Sequence, residues 1–137
     1  MVPPAFLADV ALAIREFHDF TIRLHGGLAG FRDEGLFLFS VERPWMTAFG
    51  EQIFKTPFQK AAALAECIAR THPFNDGNHR TALAAAELVL GLQGMRLAAA
   101  ANEKRDTVRD LGSGRLRLDE YGAWLERNSV LRTQLPS

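Results

Sequence analysis

Two alanine-rich runs, AAALAECIAR at 61–70 and TALAAAELVLGLQG at 81–94, stand either side of THPFNDGNHR, a segment crowded with polar groups. Small side chains on both runs allow two helices to approach closely, so a tight helix pair is expected at the centre of the fold. Thr56-Pro57-Phe58-Gln59 reads as the start of the first helix. Threonine caps it, proline suits the first helical position, and glutamine completes a capping box. Phe58, Ala61, Leu64 or Ala65, and Ile68 then line one face up to the polar segment.

The flanking regions are also helical in pattern. Phe6, Val10, Ala13, Phe17, Phe20 or Thr21, and Leu24 recur at helical spacing, and Gly26-Gly27 ends that run. HGGLAGFRDEGLF is punctuated by glycine, with Asp33-Glu34-Gly35 as a turn signal, and is expected to form a short hairpin or irregular flap over about 28–36. A short helical piece to about Glu42 stops at Arg43-Pro44. A polar helix is expected over Ala98 to Leu111, and a last helix from Asp119 with Tyr121, Trp124 and Leu125 facing inward. Strand signals are nearly absent and no linker divides the chain. The expectation is a single all-α domain over 1–137 with one small β flap.

Composition narrows the function. An apolar content of 47% in 137 residues is enough to bury a core. Lys plus Arg equals Asp plus Glu at 16 each, which removes the global basic field that drives nucleic-acid binding; Arg115 and Arg117 form at most a local patch. One cysteine, Cys67, cannot form an intrachain disulfide, which suits a reducing cytoplasm, and its setting is that of a buried helix residue. Asp9, Arg15 and Glu16 interrupt the apolar N-terminal region, which argues against a membrane span or signal peptide there.

The polar segment falls between two helices, and that position gives it chemistry. A helix beginning near Asn78 points unpaired N–H groups and the positive end of its dipole at whatever lies in front. Gly77 lets the backbone approach a ligand closely, so the site suits a phosphate. Arg80 can add forked donors to the same anion, and Asp76 offers a carboxylate to magnesium. His72 can accept a proton from an attacking hydroxyl. Such parts suit phosphoryl or nucleotidyl transfer, where catalysis is mostly positioning and charge stabilisation. Each also has a structural reading. A histidine can cap a helix C-terminus, Asn, Asp and Gly form ordinary turns, and Phe74 reads as a core anchor.

HPFNDGNHR resembles the signature of the Fic/Doc family, His-Pro-Phe-x-Asp/Glu-Gly-Asn-x-Arg. His72, Pro73, Phe74, Asp76, Gly77, Asn78 and Arg80 meet all seven specified positions. Gly26, Gly27, Gly30, Arg32, Asp33, Gly35, Leu36 and then Arg43-Pro44 resemble a segment of the Doc (death-on-curing) toxin branch, so the likeness covers roughly Leu24 to Leu97. The resemblance implies a compact Fic-fold helical bundle with a small β-hairpin flap. It implies His72 as the base, Asp76 as the Mg2+ ligand, and Gly77, Asn78, His79 and Arg80 around the phosphates of ATP. Gly30, Phe31 and Arg32 would belong to a flap that docks an extended piece of the target by strand addition.

Two departures bear on the reaction. Fic adenylyltransferases usually carry glycine and a further arginine where this chain has His79 and Leu83. The Doc branch also lacks both, usually with lysine at the first position, and transfers the γ-phosphate of ATP to a hydroxyl of elongation factor Tu. The resemblance therefore implies a kinase toxin that arrests translation, with AMP transfer or a catalytically silent binding module as alternatives. Leu38 and Phe39 stand where many Doc relatives have Glu-Ser, which bears on target preference. The nearest approach to the inhibitory helix of many Fic proteins is TAFGEQ, Thr47 to Gln52, which reads better as a loop. Restraint is then expected from a separate Phd-like antitoxin with a disordered tail.

Overall fold

The computed structural model describes residues 2–134 and confirms the mostly helical fold, with two small sheets where one flap was expected. The alanine-rich pair forms its centre. Helix α3, Pro57–Thr71, opens with the expected capping box: Gln59 N–H donates to Thr56 Oγ1, and Thr56 N–H donates to Gln59 Oε1. Helix α4, Asn78–Leu92, packs on it more extensively than any other two elements pack. Ala61, Ala62, Ala65 and Ala69 on one side meet Ala82, Ala85 and Ala86 in a common buried cluster. The missing side-chain bulk is what allows the two backbones to come so near. Cys67 is buried on α3, as its setting implies.

Three other helices surround α3. Helix α2, Glu34–Glu42, and the 3-10 turn Arg43–Trp45 lie against it, as do α5, Ala101–Ser113, and α6, Leu118–Asn128. Tyr121, Trp124 and Leu125 face inward as expected. An indole hydrogen bond from Trp124 to Glu103, 2.9 Å, joins α6 to α5, and the Lys104–Glu87 pair, 2.7 Å, joins α5 to α4.

Helix α1, Pro4–His25, corrects the face read from its sequence. The buried residues are Val10, Ile14, His18, Thr21 and Ile22, while Ala13, Phe20 and Leu24 are exposed. Apolar side chains occur nearly all round this helix, so periodicity alone could not choose the face. The neighbours chose it, because α1 packs on α2 and α4.

The hairpin also lies elsewhere. Residues 28–33 form no hairpin; they run beside the polar segment, joined by a single antiparallel bridge, Phe31 to Phe74. Asp33-Glu34-Gly35 is a helix start rather than a turn, since the Asp33 carboxylate accepts from Leu36 N–H at 3.1 Å and caps α2. The two-stranded hairpin is β1, Thr47–Ala48, with β2, Glu51–Gln52. Phe49 and Gly50 turn it with φ of 53° and 80°, two successive positive values of the kind a tight two-residue hairpin requires. A second sheet, unexpected from sequence, pairs β3, Met95–Leu97, with β4, Ser129–Leu131. No helix among the described residues is long and apolar enough to cross a membrane.

Candidate active site

The segment between α3 and α4 is held on every side. His72 ends α3 in the left-handed region, φ 52°, with its N–H bonded to Ile68 O at 3.1 Å. Pro73 follows and cannot continue the helix. Phe74 is buried, with its ring 3.8 Å from His18 in a parallel stack and 5.1 and 5.2 Å from Phe31 and Phe37. It is the core anchor that the sequence implied.

Asn78 secures the loop from the other end. Its Oδ1 accepts from Phe74 N–H at 3.0 Å, and its Nδ2 donates to Phe74 O at 2.9 Å. The side chain is buried and bonded to the loop through both its oxygen and its nitrogen, while its backbone N–H is left without an intrahelical partner. Gly77, at φ 76°, precedes α4 as its cap and supplies no side-chain acceptor. The first intrahelical bond is Thr81 N–H to Gly77 O, 3.0 Å. The N–H groups of Asn78, His79 and Arg80 therefore point forward without an intrahelical partner.

Residues 28–33 are bound to this loop rather than standing free. Arg32 donates from Nε to His72 O at 2.6 Å and from Nη2 to Thr71 O, satisfying carbonyls at the end of α3. Arg32 and Asp33 N–H both donate to Pro73 O, and Asn75 N–H donates to Gly30 O. The Asn75 amide donates to Ala29 O at 3.0 Å, and Leu28 N–H donates to Asp76 Oδ2 at 2.7 Å. Of the residues expected to dock a target, Gly30 and Arg32 are thus also bonded to the loop. Gly30 O, the Arg32 N–H and guanidinium, and the Phe31 ring are turned to the loop, because the end of a helix and an irregular turn both need hydrogen-bond partners. Gly27 allows the close approach: a Cβ there would lie 3.1 Å from Asp76 Cβ and 3.2 Å from its Oδ2.

His72, Asn75, Asp76, Gly77, Asn78, His79 and Arg80 line an open cleft of about 290 Å³. Every residue read from the sequence as base, metal ligand or phosphate contact borders it. Arg80 is exposed, and among the described residues no carboxylate lies within ion-pairing distance of it. The His72 and His79 rings meet edge-on, 5.8 Å between centroids. Burial holds the His79 pKa below its ordinary value, and the neighbouring His72 and Arg109 charges push it the same way. Behind it, Gly112 of α5 leaves room for the ring, since a Cβ there would sit 2.9 Å from His79 Nε2.

His18 is the residue that sequence reading missed. It is buried on α1, and its Nε2 lies 2.8 Å from Asp76 O. In the one-dimensional pattern it reads as a polar interruption of an apolar face, and only the folded loop supplies its acceptor.

A helix start facing a cleft, with a histidine behind it and an extended segment tied alongside, defines a helical protein with one polar cleft at the junction of its two central helices. The chain belongs to the Fic/DOC family, whose profile matches residues 11–90. Over 74 residues it is 45% identical to Toxin Doc of Mycolicibacterium smegmatis, a match covering 54% of this chain. The chain spans about 57% of that relative's length.

Proposed function

We propose that the chain is the toxin of a toxin–antitoxin pair, a protein serine/threonine kinase that moves the γ-phosphate of ATP to a hydroxyl of a translation factor such as elongation factor Tu. The observation that carries this reading is the uncapped start of α4, with free amides and Arg80 beside His72 in one cleft. His72 takes the proton of the target hydroxyl, whose oxygen then attacks the γ-phosphorus while ADP leaves. The forward amides and the Arg80 guanidinium hold phosphate oxygens in position and offset their charge.

The donor set fits magnesium bound together with a nucleotide. No group of three or more His, Cys, Asp or Glu among the described residues could hold a metal by itself. Magnesium commonly takes only one or two carboxylates, completing its shell with water and substrate phosphates. Asp76 supplies that carboxylate, oriented by the Leu28 N–H on Oδ2. Its role is to hold the ion, which when bound neutralises phosphate charge.

His79 and Leu83 favour γ-phosphate transfer over AMP transfer. His79 fills space beside His72, and Leu83 puts an apolar side chain, beside Phe17 and Phe20, where the adenylyltransferase pattern has an arginine. Restraint in trans by a Phd-like antitoxin is supported by the relative's name and by TAFGEQ, which is a hairpin and not an inhibitory helix. Glu51 within it points to solvent and pairs with Lys55 at 3.7 Å.

Two experiments test the reading. Purified chain incubated with ATP, magnesium and bacterial extract should label protein from the γ-phosphate and not from the α-phosphate; the reverse result refutes the kinase. Expression of the chain should slow bacterial growth, and His72→Ala should restore it. Undiminished toxicity in that variant would remove His72 from the chemistry.

A further inference from the structure

One buried polar contact at the cleft has no part in the mechanism above. His18 comes from the middle of α1, and its side chain is almost wholly enclosed. The ring stacks on Phe74 with an interplanar angle of 14° and places Nε2 2.8 Å from Asp76 O. A carbonyl oxygen only accepts, so Nε2 carries the hydrogen and donates. The other nitrogen, Nδ1, lies 3.7 Å from the Asp19 carboxylate, beyond hydrogen-bond distance. The ring also backs the helix cap, since a Cβ on Gly77 would meet His18 Cδ2 at 3.6 Å.

The contact has a directional consequence. The peptide between Asp76 and Gly77 is planar and trans, as all peptides described here are. In a trans peptide the carbonyl and the following N–H point in opposite directions. Drawing Asp76 O inward to His18 therefore turns Gly77 N–H outward, on the side where Gly77 lines the cleft. It also sets the backbone from which the Asp76 carboxylate projects.

We propose that His18 is a positioning residue for the anion site, holding the Asp76–Gly77 peptide so that Gly77 N–H joins the three leading amides of α4 facing a phosphate. This rests on the phosphate-binding reading of the cleft, and the ligand class is a nucleoside triphosphate with magnesium. His18 itself touches neither substrate nor metal.

Two variants separate the donor from the ring. His18→Phe keeps an aromatic ring on Phe74 and loses the donor; His18→Gln keeps an N–H donor and loses the ring. Titration calorimetry with the magnesium complex of a non-hydrolysable ATP analogue should show affinity lowered about tenfold in His18→Phe and by less than about threefold in His18→Gln. The Gly77 amide resonance of the ligand-free chain should move in His18→Phe and return towards the wild-type position in His18→Gln. A merely structural role would lower the melting temperature without changing either readout well below it.

Wild-type affinity in His18→Phe would overturn the proposal. So would a wild-type spectrum placing the His18 hydrogen on Nδ1, a measurement that does not need any variant to fold. If the wild-type chain does not bind the analogue, the phosphate reading fails on its own, and the ligand-free amide shift still decides whether His18 sets the peptide.

Discussion

At the residue scale, His72 shows how a side chain at the cleft is held in a costly conformation. Its φ of 52° is a left-handed value that a β-carbon disfavours by roughly 1–2 kcal/mol. Helices often end on glycine at this position for that reason. Here Pro73, the Arg32 clamp on two carbonyls and the bond to Ile68 hold the histidine in place. His72→Gly should therefore raise stability by about 0.5–1 kcal/mol in urea unfolding while eliminating the proposed phosphate transfer. An unchanged or lower unfolding midpoint would show that the backbone there is not strained. Asn78 teaches a different lesson. The motif names it as a phosphate residue, yet its amide makes two hydrogen bonds to the backbone of Phe74, one to each of the peptides that flank that residue, which ties down the loop.

At the element scale, the distance between α5 and α3 depends on Gly112. A Cβ added there would fall 2.9 Å from His79 Nε2, 3.1 Å from Ala69 O and 3.4 Å from Ala69 Cβ. The imidazole can swing away, but the carbonyl belongs to the central helix and cannot. Gly112→Ala should cost about 1–3 kcal/mol in denaturant unfolding, the usual range for overpacking. It should also push His79 toward the cleft and weaken the nucleotide binding proposed for it. Full stability in that variant would mean that α5 can shift without resistance. The segment 28–33 belongs to the same scale: it is fastened to the motif loop at Asn75, Asp76 and Pro73, so loop and segment form one structural unit.

At the scale of the whole molecule, the packing around the cleft links acid stability to a single imidazole. His79 has a folded-state pKa below its ordinary 6.5, because of burial and then the His72 and Arg109 charges. The unfolded chain thus takes up this proton first as pH falls. Below about pH 6.5 acidification favours the unfolded state, and the loss stops growing once pH is beneath the folded value. Melting temperature should decline from pH 7.5 to 5.5 more steeply in the wild type than in His79→Gln. Parallel curves would assign the acid sensitivity to other groups.

The chain's sequence was enough to specify the helical class, the central α3–α4 pair, the capping box at Thr56, the inward residues of α6 and the cleft-lining set from His72 to Arg80. These depend on local propensity, on spacing along one element, or on a contiguous motif, all present in one dimension. Tertiary structure alone decided which face α1 buries, that Arg32 binds the end of α3, that Thr47–Gln52 is the hairpin, and that His18 meets Asp76. A buried donor or acceptor takes whichever partner folding brings within reach, and the bond between His18 and Asp76 joins residues 58 positions apart.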